Sequence, residues 1–225
     1  MCGIFFLKTS NSEDELTKCN YFDRFNRIKH RGPDYSFYDE IKENMYIGFH
    51  RLSINDLSES GNQPFVNNNI YLICNGEIYN HAILAKEYDI TTESNSDCEI
   101  ILHLYKKIGI YQTVRLLDGV FSFVLIDYNN QKLYISRDMI GIRPLYISYD
   151  KHNLSLASEA KSVISFGNIS QFPAGKYAEY DLKTGQINTF DYFKLYKKSQ
   201  INNPVNVSKN IKYLVEKAIE KRLMS

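Results

Sequence analysis

Strand-length runs of apolar residues, some continuous and some alternating with polar ones, recur at Ile4 to Leu7, Met45 to Phe49, Ile70 to Cys74, Val120 to Tyr128, Lys132 to Ser136 and Leu145 to Tyr149. Each predicts a strand with at least one buried face. Two helical patterns interrupt them. Ser12 and Glu15 make a capping-box pair ahead of Leu16, Cys19, Phe22, Phe25 and Ile28, which share one helical face, and Gly32-Pro33 closes the segment. Ser96 and Glu99 repeat the pair ahead of Ile100, Ile101, Leu104 and Ile108, with Gly109 placed to stop that helix. Asn129-Asn130, between two alternating runs, predicts a hairpin turn. Strands and helices mix without a βαβ rhythm, which reads as α+β.

Beyond Phe190 the pattern loosens into polar sequence that includes Asn202-Asn203-Pro204. The reading is one main domain over 2–190, a linker over 191–207, and a last helix over 208–225 opened by Ser208. Ile211, Leu214, Val215, Ala218, Ile219 and Leu223 form one apolar stripe on that helix, which predicts a docking face for a partner.

Length and composition narrow the function classes. A chain of 225 residues with 44% hydrophobic content has room for one large domain. Lysine and arginine total 27 against 26 aspartates and glutamates, so no net field steers the molecule onto nucleic acid or an anionic membrane. Four cysteines without a CxxC pair suggest neither a metal site nor a disulfide framework and fit a reducing, cytoplasmic setting. The opening MCGIFFLKTS lacks the basic flank and length of a signal peptide, and no later run is long and apolar enough to span a bilayer.

Cys2 is the residue of most chemical interest. Removal of Met1 would leave a thiol beside its own α-amine, whose ordinary pKa of about 8 suits a base. Gly3 then keeps the approach to the thiol clear, and the following strand is a rigid mount. Asn75-Gly76, in the block Asn75 to His81, is placed at a strand end and has two readings: a simple turn, or a carboxamide and a main-chain N–H aimed together at a developing oxyanion. Arg51 can take a substrate carboxylate in a two-pronged contact or lie solvated at the surface. Asp97 and Glu77 can meet a substrate ammonium, and Asp97 also suits the first turn of a helix. Cys74 and Cys98 read as fillers of small apolar gaps.

Taken in order, Cys2-Gly3-Ile4, His30-Arg31-Gly32-Pro33-Asp34, Arg51-Leu52-Ser53-Ile54, Asn75 to His81, Ser96-Asp97-Cys98-Glu99 and Arg137-Asp138 resemble the class II glutamine amidotransferases. Gly141-Ile142-Arg143-Pro144-Leu145-Tyr146 and Ala157-Ser158-Glu159-Ala160-Lys161 are similar to the asparagine synthetase branch of that family. The resemblance implies a four-layer αββα sandwich of two antiparallel sheets with outer helices, of the N-terminal-nucleophile hydrolase type. It implies Cys2 as nucleophile and, through its amine, base, Asn75 and Gly76 as oxyanion donors, and Arg51, Ile54, Glu77 and Asp97 as the binding site for L-glutamine. The implied reaction is hydrolysis of glutamine to glutamate and ammonia through a γ-glutamyl thioester, without metal or organic cofactor.

In the whole family enzyme the ammonia passes to a synthetase domain that activates aspartate with ATP and magnesium through a Ser-Gly-Gly-Leu-Asp-Ser-type loop, which this sequence does not contain. The segment ending Glu220 to Ser225 resembles the first helix of that domain. The chain is therefore expected to be a fragment, a truncated gene product or one subunit of a split enzyme, its last helix docking on the synthetase part. Two other readings keep the same residues: a free-standing glutaminase or amidase, and a catalytically silent domain that binds glutamine for regulation.

Overall fold

The computed structural model describes residues 1–10, 15–194 and 204–223. Among them the strands form two six-stranded sheets in which every neighbouring pair is antiparallel. The first sheet comprises β1 (Gly3–Lys8), β2 (Tyr35–Lys42), β3 (Met45–Arg51), β8 (Tyr146–Tyr149), β9 (Leu154–Ala157) and β10 (Ser170–Gln171), in the order β10-β8-β9-β1-β3-β2. The second comprises β4 (Phe65–Asn67), β5 (Ile70–Ile78), β6 (Gly119–Asp127), β7 (Lys132–Arg137), β11 (Lys176–Asp181) and β12 (Ile187–Asp191), in the order β12-β11-β7-β6-β5-β4. The helices are α1 (Glu15–Asn26), α2 (His81–Glu87), α3 (Ile100–Leu116) and α4 (Pro204–Arg222).

Alternation along the strands builds the layers. Ile4 and Phe6 of β1 turn inward to meet Ile73, Val124, Ile126 and Ile135 of the second sheet, while Phe5 and Leu7 turn outward onto Tyr21 and Phe25 of α1. On the far side, Leu72, Cys74, Phe121 and Phe123 turn outward beneath Ile100, Ile101, Leu104 and Val114 of α3. The result is helix, sheet, sheet, helix, the expected αββα sandwich. Asn129-Asn130 does connect β6 to β7, with the Asp127 carboxylate accepting both their N–H groups at 2.9 and 3.1 Å.

Other local expectations are corrected. The buried face of α1 and the turn after it is Tyr21, Phe25 and Ile28; Cys19 and Phe22 are exposed. The rotation is set by Phe25, which stacks on His50 with ring centroids 3.9 Å apart and whose carbonyl lies 3.2 Å from His50 Nε2. Ser12, the expected cap, lies outside the described residues. The second capping box does not form: Glu99 turns to the preceding loop, accepting the N–H groups of Glu93 and Ser94 at 2.9 and 2.8 Å, and pairs with His103 at 3.0 Å. Gly109 does interrupt α3 with φ of 75°, but helical turns resume to Leu116.

The domain's last strand ends at Asp191, and 195–203 of the expected linker lie outside the described residues. α4 begins at Pro204, ahead of the expected Ser208, at a first-turn position that suits proline's fixed φ and missing N–H. Its stripe is bare: Ile211, Leu214, Val215, Ile219 and Leu223 are all more than half exposed. The helix meets the domain through a Lys221–Asp118 ion pair and Arg222 set 4.8 Å over the Tyr79 ring. No helix among the described residues is long and apolar enough to cross a membrane.

The docking of α1 depends on Gly48, where an added Cβ would meet the Phe25 ring at 2.6 Å. Gly48→Ala is therefore expected to cost about 1–3 kcal/mol through overpacking, read as a lower urea midpoint, and an unchanged midpoint would show that α1 is free to shift.

Candidate active site

The alternation that builds the core also builds the site. Cys2 shares the parity of Ile4 and Phe6, and Asn75 and Glu77 share that of Ile73, so all three side chains turn into the layer between the sheets. At this end the layer opens into a cleft of about 500 Å³, mouth included. Cys2, Arg51, Ile54, Asn75, Gly76, Glu77 and Asp97, the whole set expected from sequence, line it together.

Cys2 opens β1 in the centre of its sheet. Its sulfur receives the Leu52 N–H at 3.4 Å, and burial pushes the thiol pKa up against that weaker opposing bond. The Cys2 carbonyl is held by Arg31 Nε at 3.0 Å, and Arg31 is in turn paired with Glu159 at 3.0 Å. Glu159 also receives Lys161 at 2.9 Å and His30 at 3.1 Å. Burial would raise the Glu159 pKa, but the bonds from Lys161 and Arg31 outweigh it and hold the carboxyl at about 2. Ser158 completes the mount by accepting the Ile4 N–H on its hydroxyl at 3.0 Å and donating its own N–H to the Ile4 carbonyl at 3.0 Å.

Asn75 and Gly76 form no turn. β5 continues to Ile78, because β6 pairs with it along its full length from Ile70 to Ile78. A Cβ on Gly76 would lie 2.5 Å from the Val120 carbonyl, so the glycine answers the close approach of β6. Asn75 is 1% exposed and its Nδ2 has no hydrogen-bond partner among the described residues. A buried donor left unmatched is costly, and facing a cleft it marks a place for an acceptor.

Arg51 is buried, not solvated, and donates from Nη1 to the Ser58 carbonyl and Asn62 Oδ1, both at 2.7 Å, and from Nη2 to the Asp56 carbonyl. It thereby shapes the 56–62 loop as one wall of the cleft. Asp97 opens a helical turn, as its sequence position suggested, and its buried carboxylate lines the cleft, accepting from Asn55 Nδ2 at 2.8 Å and from the Ile78 N–H at 2.5 Å. Ile54, 46% exposed, stands at the rim.

Sequence reasoning assigned no site role to Arg143, which reaches the cleft and pairs with Glu77 at 2.8 Å. Its loop is held from beneath. Arg137 donates to the carbonyls of Arg143, Phe172 and Gly141 at 2.7, 2.8 and 2.5 Å, and Asp138 accepts the N–H groups of Ile142 and Arg143 at 2.9 and 3.0 Å. The Gly141 to Tyr146 block was the available signal. Arg143 Nε and Asn55 Oδ1 are further buried atoms without a partner among the described residues, so among these residues the cleft lining holds two unmet donors and an unmet acceptor beside a thiol.

Residues 1–181 match the family described as the glutamine amidotransferase domain. The chain is 39% identical to a probable glutamine-hydrolyzing asparagine synthetase of Acanthamoeba polyphaga mimivirus, over 90% of this chain and 38% of that protein. It is 35% identical to the glutamine-hydrolyzing asparagine synthetase of Homo sapiens, over 100% of this chain and 44% of that protein. The chain thus spans less than half the length of these relatives. The glutamine phosphoribosylpyrophosphate amidotransferase of B. subtilis superposes with a TM-score of 0.67 at 18% identity, over 85% of this chain and 49% of that one, which shows the fold.

The Glu159 clamp has a defined pH signature. Its folded pKa of about 2 lies below the ordinary 4.5, so its stabilisation is complete above 4.5 and is lost as pH falls from 4.5 toward 2. The urea-midpoint difference between wild type and Glu159→Gln is expected to narrow over that window, and a constant difference would mean that the carboxylate charge does not act in folding.

Proposed function

The chain belongs to the class II glutamine amidotransferases, and from that premise we propose that it hydrolyses L-glutamine to glutamate and ammonia with Cys2, freed of Met1, as nucleophile. The observation that carries this reading is the Cys2 thiol sharing a cleft with Asn75 Nδ2, which has no partner among the described residues. The sulfur attacks the carboxamide carbon, and its proton passes to the adjacent α-amine. The negative charge that gathers on the carboxamide oxygen is met by Asn75 Nδ2 and the Gly76 N–H, each worth on the order of 3 kcal/mol in the transition state. The amine returns the proton to the departing nitrogen, ammonia leaves, and water cleaves the γ-glutamyl thioester to glutamate.

Arg51 supplies the cationic wall for the α-carboxylate, Asp97 and Glu77 face the α-ammonium, and Ile54 contributes at the rim. Arg143 neutralises Glu77 and keeps the cleft from repelling the substrate carboxylate. Hydrolysis on these groups calls for no metal or organic cofactor.

In the proposed whole reaction the ammonia is delivered to aspartate activated with ATP and magnesium, in a synthetase part that corresponds to the portion of the relatives this chain does not span. The bare stripe on α4 supports a partner surface of that kind, and the free cysteines fit a cytoplasmic setting.

Purified protein whose N-terminal mass shows loss of Met1 is expected to release glutamate and ammonia from glutamine and far less from asparagine. Cys2→Ala abolishes the release, and Asn75→Ala lowers kcat by ~10²–10³-fold. Release that persists in Cys2→Ala would remove the nucleophile assignment.

A further inference from the structure

β4 pairs with β5 only from Phe65 to Asn67 against Ile70 to Leu72, and β5 then runs on to Ile78 with no strand on that side among the described residues. The bare edge is that of Cys74, Gly76 and Ile78. Phe121, opposite Gly76, turns its own N–H and carbonyl to Asp138, at 3.3 and 2.8 Å, so Gly76 and its neighbours two residues away turn theirs away from β6. Side chains answer this edge. Gln63, 5% exposed, accepts the Cys74 N–H on Oε1 at 2.6 Å and donates from Nε2 to the Cys74 carbonyl at 3.2 Å. Asp97 accepts the Ile78 N–H at 2.5 Å, and the Cys98 thiol reaches the Gly76 carbonyl at 3.5 Å. The Gly76 N–H is left without an acceptor among the described residues.

We propose that Gln63 is a positioning residue of the glutaminase site, its carboxamide standing in for one residue of a neighbouring strand so that the β5 main chain is fixed while the Gly76 N–H stays free for the substrate oxyanion. A true strand continued along this edge would use up that N–H. A bare edge would leave the Cys74 peptide buried and unpaired, and the donor beside it would wander. A carboxamide supplies one donor and one acceptor in the two-bond pattern of a ladder and then stops. Gln63 itself lines the cleft floor. It acts through Cys74 and Gly76, whose N–H matters only when charge gathers on the carboxamide oxygen, so its effect falls on turnover more than on substrate binding.

The inference rests on the glutaminase reading, and the experiment separates the two. Glutamine hydrolysis is measured for wild type, Gln63→Leu and Gln63→Glu, and glutamine binding is measured by calorimetry in a Cys2→Ala background with and without Gln63→Leu. Gln63→Leu is expected to lower kcat by roughly 10–100-fold, while the dissociation constant in the Cys2→Ala background moves by less than about 3-fold. Gln63→Glu keeps an acceptor for the Cys74 N–H and is expected to recover part of kcat. Unchanged kcat in Gln63→Leu, or binding and turnover falling in parallel as general loosening would produce, overturns the positioning role. No hydrolysis by wild type with a free Cys2 overturns the glutaminase reading beneath it.

Discussion

The cleft exists because β5 outruns its neighbour. A strand edge carries N–H and carbonyl groups that must be paired wherever water is excluded, and leaving one unmet costs about 1–3 kcal/mol. Beyond Leu72 this edge is met group by group, by Gln63, Asp97 and Cys98, and not by a strand. β6 presses on the other side so closely that Gly76 has no room for a side chain. The main chain is thus held on both flanks, and the Gly76 N–H, which the proposed reaction uses, has no acceptor among the described residues. A preorganised donor of this kind stabilises developing charge without rearrangement at the moment of reaction.

The same logic explains why so many polar residues in the sequence blocks stand behind the cleft. Arg31, Glu159 and Ser158 act on the main chain of Cys2 and Ile4, and Arg137 and Asp138 act on the loop that carries Arg143. Glu159 holds the Arg31 side chain, and each of the others is a charged or hydroxyl group spent on a peptide carbonyl or N–H. Charges this well buried are tolerated because bonds of this kind replace the lost water.

Legibility in the sequence followed burial. β1, β3, β5, β6 and β7 showed because both of their faces are covered, leaving strongly apolar runs. β2 and β12 lie at sheet edges with exposed side chains, and β11 alternates charged and tyrosine positions, so their patterns resemble loops. Asn75-Gly76 pointed locally to a turn, yet the pairing with β6, more than forty residues away, overrode it. The lining residues were legible from short blocks. The Arg143–Glu77 pair and the Gln63–Cys74 ladder were not, since each joins segments that only the folded sheets bring together.

The base of the proposed mechanism, the α-amine of Cys2, is supported by the way the other titratable groups of the cleft are held. Burial holds the Cys2 thiol protonated, so a base is needed to make it nucleophilic. No histidine is among the residues that line the cleft. Glu77 is bound to Arg143, and Asp97 is bound to Asn55 and the Ile78 N–H, so taking a proton would weaken the ion pair of the first and the hydrogen bonds of the second. With Met1 removed, the α-amine of Cys2 would lie two bonds from the carbon that bears the sulfur. The partners of Glu77 and Asp97 thus support the α-amine as base in the proposed reaction, for which Met1 has to be removed.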